Sequence, residues 1–152
     1  MYPIRLITVG RPKTGPIRDL DQHYRTLLKA HARLDVDELP EGRGDAARQL
    51  KEEAERIRAR LEGIRCPVLL CAEGPARTSE DFARWLGVRM DRGESLAFAI
   101  GSSHGLDPAL KGEVREQLSL SPMTFPHDLS RVLFLEQLYR AFTILKGGPY
   151  HK

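Results

Sequence analysis

Cysteine is nearly absent from this sequence: 152 residues carry two, Cys66 and Cys71. Five positions apart in an extended run, they point to opposite faces and cannot bridge each other. They also lack the spacing of a zinc site, so buried, reduced thiols are expected. Aromatic residues are sparse at 7%, yet a hydrophobic share of 41% in a chain of this length builds a core without metal or disulfide help. Long apolar runs are missing, and none approaches the length that spans a bilayer. The opening "MYPIRLITVG" has neither the cationic lead-in nor the small-residue cleavage site of a secretory signal, so a cytoplasmic protein is expected.

Several catalytic and nucleotide signatures are missing too. "GRPKTGPI" (10–17) begins like a phosphate loop, but Pro16 and Ile17 stand where a Walker loop needs Lys and Ser or Thr. G-x-G-x-x-G does not occur. No Ser-His-Asp or Cys-His arrangement is identifiable, and His23, His31 and His104 form no metal cluster, so no metal is expected.

What is present is a regular alternation. Strand-like runs lie at 3–9, 33–39, 67–72 and 95–100, with helical patterns between them. Pro16 suits a first helical turn, after which Ile17, Leu20, Tyr24, Leu27 and Leu28 share one face. Leu50, Ala54, Ile57 and Leu61 mark a surface helix. "TSED" caps a third helix with Thr78 and Asp81, and Asp107 with Pro108 opens a fourth. This rhythm predicts a single α/β domain, residues 1–152, with a mainly parallel sheet. The runs at 67–72 and 95–100 read as buried on both faces, and the alternating "RLDVDEL" as near an edge.

The last fifth departs from the pattern. A short strand or loop is expected at 118–125, then a helix from about Asp128 to Leu145 that is apolar around most of its circumference. Such a helix lies deep in a core or packs on a second subunit. Glu136 and Arg140 stand on it at i,i+4 spacing, where charge needs a reason. Gly147 and Gly148 end it, ahead of "PYHK".

Charge is uneven. Residues 1–33 carry seven Lys or Arg against two Asp, and residues 126–152 carry four against two, while the middle is net negative. If the two ends meet on one surface, it attracts a polyanion. "AFAIGSSHGLDP" ends a buried strand in a glycine turn before a helix, which is where ligands settle in open α/β sheets; an ordinary tight turn uses the same residues. "MTFPHDLSR" sets His127 at a helix entrance with Arg131 one turn on.

Together, "IGSSHG", "LSLSPMTFPHDLSRVLFLEQLYRAF" and the terminal "PYHK" resemble the RlmH family, small SPOUT-class methyltransferases acting on N3 of a pseudouridine in 23S ribosomal RNA. The resemblance covers nearly the whole chain and implies a homodimer with a C-terminal trefoil knot that holds S-adenosylmethionine. By matching motif it assigns cofactor contacts to Leu70, Gly101, Ser102, Leu120, Ser121, Pro122, Met123, Thr124 and Phe125. The family usually has a second glycine where Ser102 stands; a side chain there either crowds the cofactor or offers it a hydroxyl. Catalytic roles are implied for His127, Arg140, Tyr150 and His151, the last two delivered by the partner's tail. His127 or His151 would remove the imide proton, Arg140 would stabilise the developing negative charge, and Tyr150 would hold the flipped base. Arg5, Arg11, Lys13, Arg18 and Arg25 are the RNA-binding candidates. Ribosomal particles are the expected substrate, because so small a chain has little room for a separate RNA-binding domain. The competing readings are a non-enzymatic RNA- or ribosome-binding dimer that kept the fold and a flavodoxin-like binding domain.

Overall fold

The computed structural model describes residues 1–13 and 15–152. Strands and helices alternate through the described chain: β1 (Tyr2–Val9), α1 (Gly15–Leu28), β2 (Ala32–Leu39), α2 (Ala46–Leu61), β3 (Cys66–Leu70), α3 (Ser79–Asp91), β4 (Leu96–Ile100), α4 (Pro108–Glu113), β5 (Glu116–Leu118) and α5 (His127–Leu145). The sheet order is β2-β1-β4-β3-β5. Every neighbouring pair is parallel. As the alternation in its sequence suggested, β2 is an edge strand, whereas central β4 is buried along its whole length.

Strand pleating sorts the apolar residues into two layers. Ile4, Leu6, Val68, Leu70, Phe98 and Ile100 face α1, α3 and α5, meeting Leu28, Phe82, Leu86, Phe134, Leu135, Leu138 and Phe142. Ile7, Val9, Leu69, Ala97 and Ala99 face the other way, against Ala54, Ile57 and Leu61 of α2 and Leu110 of α4. Within β4 the large residues support α3 and α5, and the two alanines let α2 and α4 sit close.

Two local expectations need correction, the Asp107 cap and the burial of Cys71. The short strand or loop expected at 118–125 is a loop: β5 ends at Leu118, and residues 119–126 are irregular and lead back across the sheet's carboxyl edge. Asp107 occupies the N-cap of α4 without a side-chain cap bond; Pro108 alone supplies the helix start there. Thr78 does cap α3, its hydroxyl accepting from Asp81 N at 3.0 Å. Cys66 is buried as expected, but Cys71 is half-buried just past β3 and donates to Gln117 Oε1 at 3.2 Å.

The apolar stripe of α1 is only partly covered. Leu28 is buried, but Ile17, Tyr24 and Leu27 are half-buried and Leu20 is 43% exposed. The polar residue α1 does bury is Asp21, which holds Arg131 of α5.

Candidate functional site

The carboxyl ends of β3 and β4 open into a cavity of about 680 Å³, within the range of small-molecule sites. One wall is the turn after β4. A Cβ on Gly101 would stand 2.6 Å from the Gly105 carbonyl carbon, so only glycine lets the turn close on itself. Gly105 N donates to Ser102 O at 2.8 Å to complete it, with Gly105 at φ +83°. The opposite wall is the irregular segment after β5. Ser119 Oγ donates to Ser121 O at 2.9 Å and Met123 N to Ser121 Oγ at 3.0 Å, which folds the segment into a defined bend.

Of the nine residues assigned to a cofactor from sequence, eight line this cavity: Leu70, Gly101, Ser102, Leu120, Ser121, Met123, Thr124 and Phe125. Pro122 is exposed and lies off the wall. Ser102 neither blocks the space nor keeps its hydroxyl for a ligand. Its Oγ donates to Glu53 Oε1 at 2.7 Å. At the mouth, Lys111 Nζ and Glu73 Oε1 form a 2.7 Å ion pair that sequence reading had not singled out.

His127, the first residue of α5, also lines the cavity. Its Nε2 is closed off from the surface against Asp128 Oδ1 at 2.9 Å, outside hydrogen-bond alignment, so Asp128 fixes the ring at the cavity wall.

Arg140, Tyr150 and His151 gather elsewhere. Arg140 donates to Glu136 Oε1 from Nε at 3.0 Å and Nη2 at 2.7 Å, and its guanidinium lies over the Tyr150 ring at 4.8 Å. Hydrogen bonding to Glu136 holds the Arg140 guanidinium above its ordinary range. Tyr150 also donates to Glu136 Oε1, at 3.0 Å. Burial, with the neighbouring Glu136 carboxylate, pushes the phenol well above its usual pKa, so it stays protonated and donates. His151 joins two elements: Nδ1 lies 3.1 Å from Arg140 Nη1 and Nε2 lies 2.7 Å from Glu80 Oε1 of α3. Arginine only donates, so Nδ1 accepts and the ring hydrogen sits on Nε2. That bond holds Glu80 below the usual carboxylate range. Arg140 is thirteen residues beyond His127 on one helix, roughly 20 Å at the helical rise. The four catalytic candidates therefore form two groups within one chain.

The basic candidates divide as well. Arg11 and Lys13 are exposed in the loop after β1, and Arg11 borders a small crevice with Gly101, His127 and Arg131. Arg18 is exposed on α1, whereas Arg25 is drawn to Asp21 at 3.6 Å. Arg5 belongs to neither place: it lies mid-strand, 3.7 Å from Asp37 and donating to Arg60 O at 3.1 Å.

Arg131 was missed as an anchor. It is 3% exposed and donates to Asp21, to Glu38 Oε2 at 2.7 Å and to Thr8 Oγ1 at 3.3 Å, fixing the α5 entrance to α1, β2 and β1. Burial alone would lower its pKa, but hydrogen bonds to Asp21 and Glu38 outweigh that and hold it above the ordinary range. The rule applied to Glu136 and Arg140, that charge on an apolar helix needs a reason, would have found it.

Comparison with known proteins adds independent findings. A family model described as "Predicted SPOUT methyltransferase" matches residues 2–151. A Gemmatimonas aurantiaca protein named ribosomal RNA large subunit methyltransferase H is 40% identical over 98% of this chain and 99% of its own length. A Rhizobium meliloti protein of the same name is 43% identical, covering 98% of each. Among solved structures, a probable methylase family protein from Haemophilus influenzae superposes with a TM-score of 0.59 at 10% identity, covering 98% of this chain and 70% of that one. A probable methyltransferase from Bordetella pertussis gives 0.58 at 13%, covering 93% and 96%. These two speak for the fold alone.

Proposed function

Because this chain belongs to the SPOUT methyltransferase family and is a methyltransferase, we propose that it methylates N3 of a pseudouridine in 23S ribosomal RNA. It does so with S-adenosylmethionine, as a homodimer, on assembled ribosomal particles. Relatives named for large-subunit ribosomal RNA support the substrate class. The observation that carries the chemistry is the cavity itself. Two backbone bends face each other across it, and the His127 side chain lines it beside them.

The residues present fit a nucleoside methyl donor. Apolar Leu70, Leu120 and Phe125 line the space, and the Gly101 turn brings main chain rather than side chain to its edge. S-adenosylmethionine, when bound, supplies an electrophilic methyl group carried on a sulfonium. The chain must hold the target base, aim N3 and accept its proton, and positioning alone is worth several kcal/mol. His127 is the better-placed base, because it lines the cavity whereas both ring nitrogens of His151 are engaged. Arg140 offers charge to the carbonyls flanking N3. Tyr150, kept protonated, stacks on or donates to the base.

A single chain leaves those groups apart, so the site is completed by a second copy whose tail reaches this cavity. The half-covered apolar stripe of α1, with Leu20 exposed, and the half-buried Leu129 and Leu133 of α5, the helix packed against it, support such an interface. The path of residues 119–126, from the β5 edge back to α5 on the other face, supports a threaded, knotted C-terminal segment. Arg11, Lys13 and Arg18 form the exposed cationic surface proposed for RNA.

Incubating the protein with S-adenosylmethionine and either large ribosomal particles or naked 23S RNA, then sequencing modified nucleosides by mass spectrometry, tests this. Methyl-pseudouridine is expected from particles and far less from naked RNA. No methylated nucleoside from either substrate would reject the proposal.

A further inference from the structure

Glu53 is a carboxylate in an unusual place. It belongs to α2, is 3% exposed, and takes no part in the chemistry above. One oxygen accepts from Ser102 Oγ at 2.7 Å and the other from Gly42 N at 2.9 Å. The first partner is on the β4 turn that walls the cavity. The second lies on the loop between β2 and α2, which is pressed flat on the helix: a Cβ on Gly42 would stand 2.7 Å from Gln49 Cα. The adjacent Arg43 N donates to Glu52 Oε2 at 3.0 Å, so two successive backbone N–H groups of this loop bond to two successive glutamates of α2.

We infer that Glu53 is a positioning residue for the methyl donor, holding the Gly101–Gly105 turn in its binding shape through Ser102. This rests on the proposed function in one respect, that the donor occupies the cavity. The physical reasoning is pre-organisation. The turn has few anchors of its own, namely the Ser102–Gly105 pairing and a longer 3.4 Å contact from His104 N to Ser102 Oγ. A turn free to move must be ordered when ligand binds, and that entropy comes out of the affinity. A buried carboxylate fixed from behind by a second loop removes the freedom beforehand. Breaking the link also leaves a buried acceptor or donor unsatisfied, which pulls the turn toward other partners.

Chemistry makes the idea separable from a general structural role. Glutamine at position 53 keeps both bonds: its carbonyl oxygen accepts from Gly42 N and its amide donates to Ser102 Oγ. Alanine keeps neither. Alanine at Ser102 removes only the hydroxyl.

Calorimetric titration of S-adenosylmethionine into wild type, E53Q, E53A, S102A and the E53A/S102A double variant, with melting curves for each, is the test. E53A and S102A are expected to weaken binding about tenfold or more, E53Q to stay within about threefold, and the double variant to match the weaker single, since one link is lost in each case. Should E53A not fold, S102A and E53Q carry the comparison by themselves. Wild-type affinity in S102A and in any folded E53A, even with lowered melting temperatures, overturns the inference while leaving the proposed function intact. Wild type that ignores the donor overturns both.

Discussion

Asp21 and Arg131 stand 110 positions apart in sequence and meet in two hydrogen bonds, Nε to Oδ1 at 2.6 Å and Nη2 to Oδ2 at 3.1 Å. Both side chains are almost fully buried. The pair joins α1 to the entrance of α5, four residues beyond His127, and so sets where that histidine stands.

Removing Asp21 leaves buried Arg131 with Glu38 as its one charged partner and two of its donors unmet. D21A is expected to lower unfolding free energy by about 1–3 kcal/mol. The D21A/R131M double variant should recover a large part of the loss, because the buried guanidinium is removed and the Glu38 carboxylate it leaves is partly exposed. Urea denaturation of the three proteins checks both statements; a D21A midpoint equal to wild type would show that the pair is not an anchor.

Gly101 makes a sharper claim about geometry. In G101A the added carbon would meet the Gly105 backbone, which cannot swing aside as a side chain does. Overpacking of this kind typically costs about 1–3 kcal/mol, and the turn is expected to open to relieve it. Donor binding should fall more than tenfold by calorimetry, with the melting temperature reduced but the fold retained. Unchanged affinity would place the donor elsewhere.

The division of the proposed catalytic groups gives a test of shared sites. H127A homodimers and homodimers lacking residues 149–152 should both be inactive. Co-expressed with separate tags and purified as a mixture, they should recover about a quarter of wild-type turnover, since half the dimers are mixed and each holds one complete site. A site built within one chain would give no recovery at all.

His31 carries a prediction about pH. Burial, aided by Lys146, lowers its pKa below the usual histidine value, and its ring stacks on Phe142 with Nδ1 unpartnered. The folded state therefore resists protonation that the unfolded chain accepts. The stabilisation is complete above the unfolded histidine pKa of ~6.5 and declines as pH falls below it. The wild-type urea midpoint should drop between pH 7.5 and 5.5, and H31F should show a smaller drop. Equal slopes would mean that His31 does not contribute.

Sequence made the main frame legible because strand and helix leave local marks. Buried runs such as "SLAFAI", the Thr78 cap and the glycine turn each announce themselves within a few residues. The α1 stripe was visible as a helix face, but periodicity reports only that Leu20 and Tyr24 are in line, not whether this chain alone covers them. The links that fix the site are of another kind. Asp21 with Arg131, Glu53 with Ser102 and Glu80 with His151 join residues far apart in the chain, and neither partner of a pair carries a local mark that points to the other. The three-residue β5 was not legible, and 118–125 stayed open between strand and loop, because so short a strand has no period to read; its pairing with β3 is what defines it.

All five strands run the same way, so each delivers its final residue to one rim of the molecule. The cavity, His127 and the exposed cationic loop after β1 crowd onto that perimeter, while the opposite end is left to turns. Mutational tolerance should be lopsided in consequence. Surface exchanges at the rim will seldom be silent, since whatever adjusts one ligand's fit shifts its neighbour's, whereas the far end is where tags, labels or insertions belong.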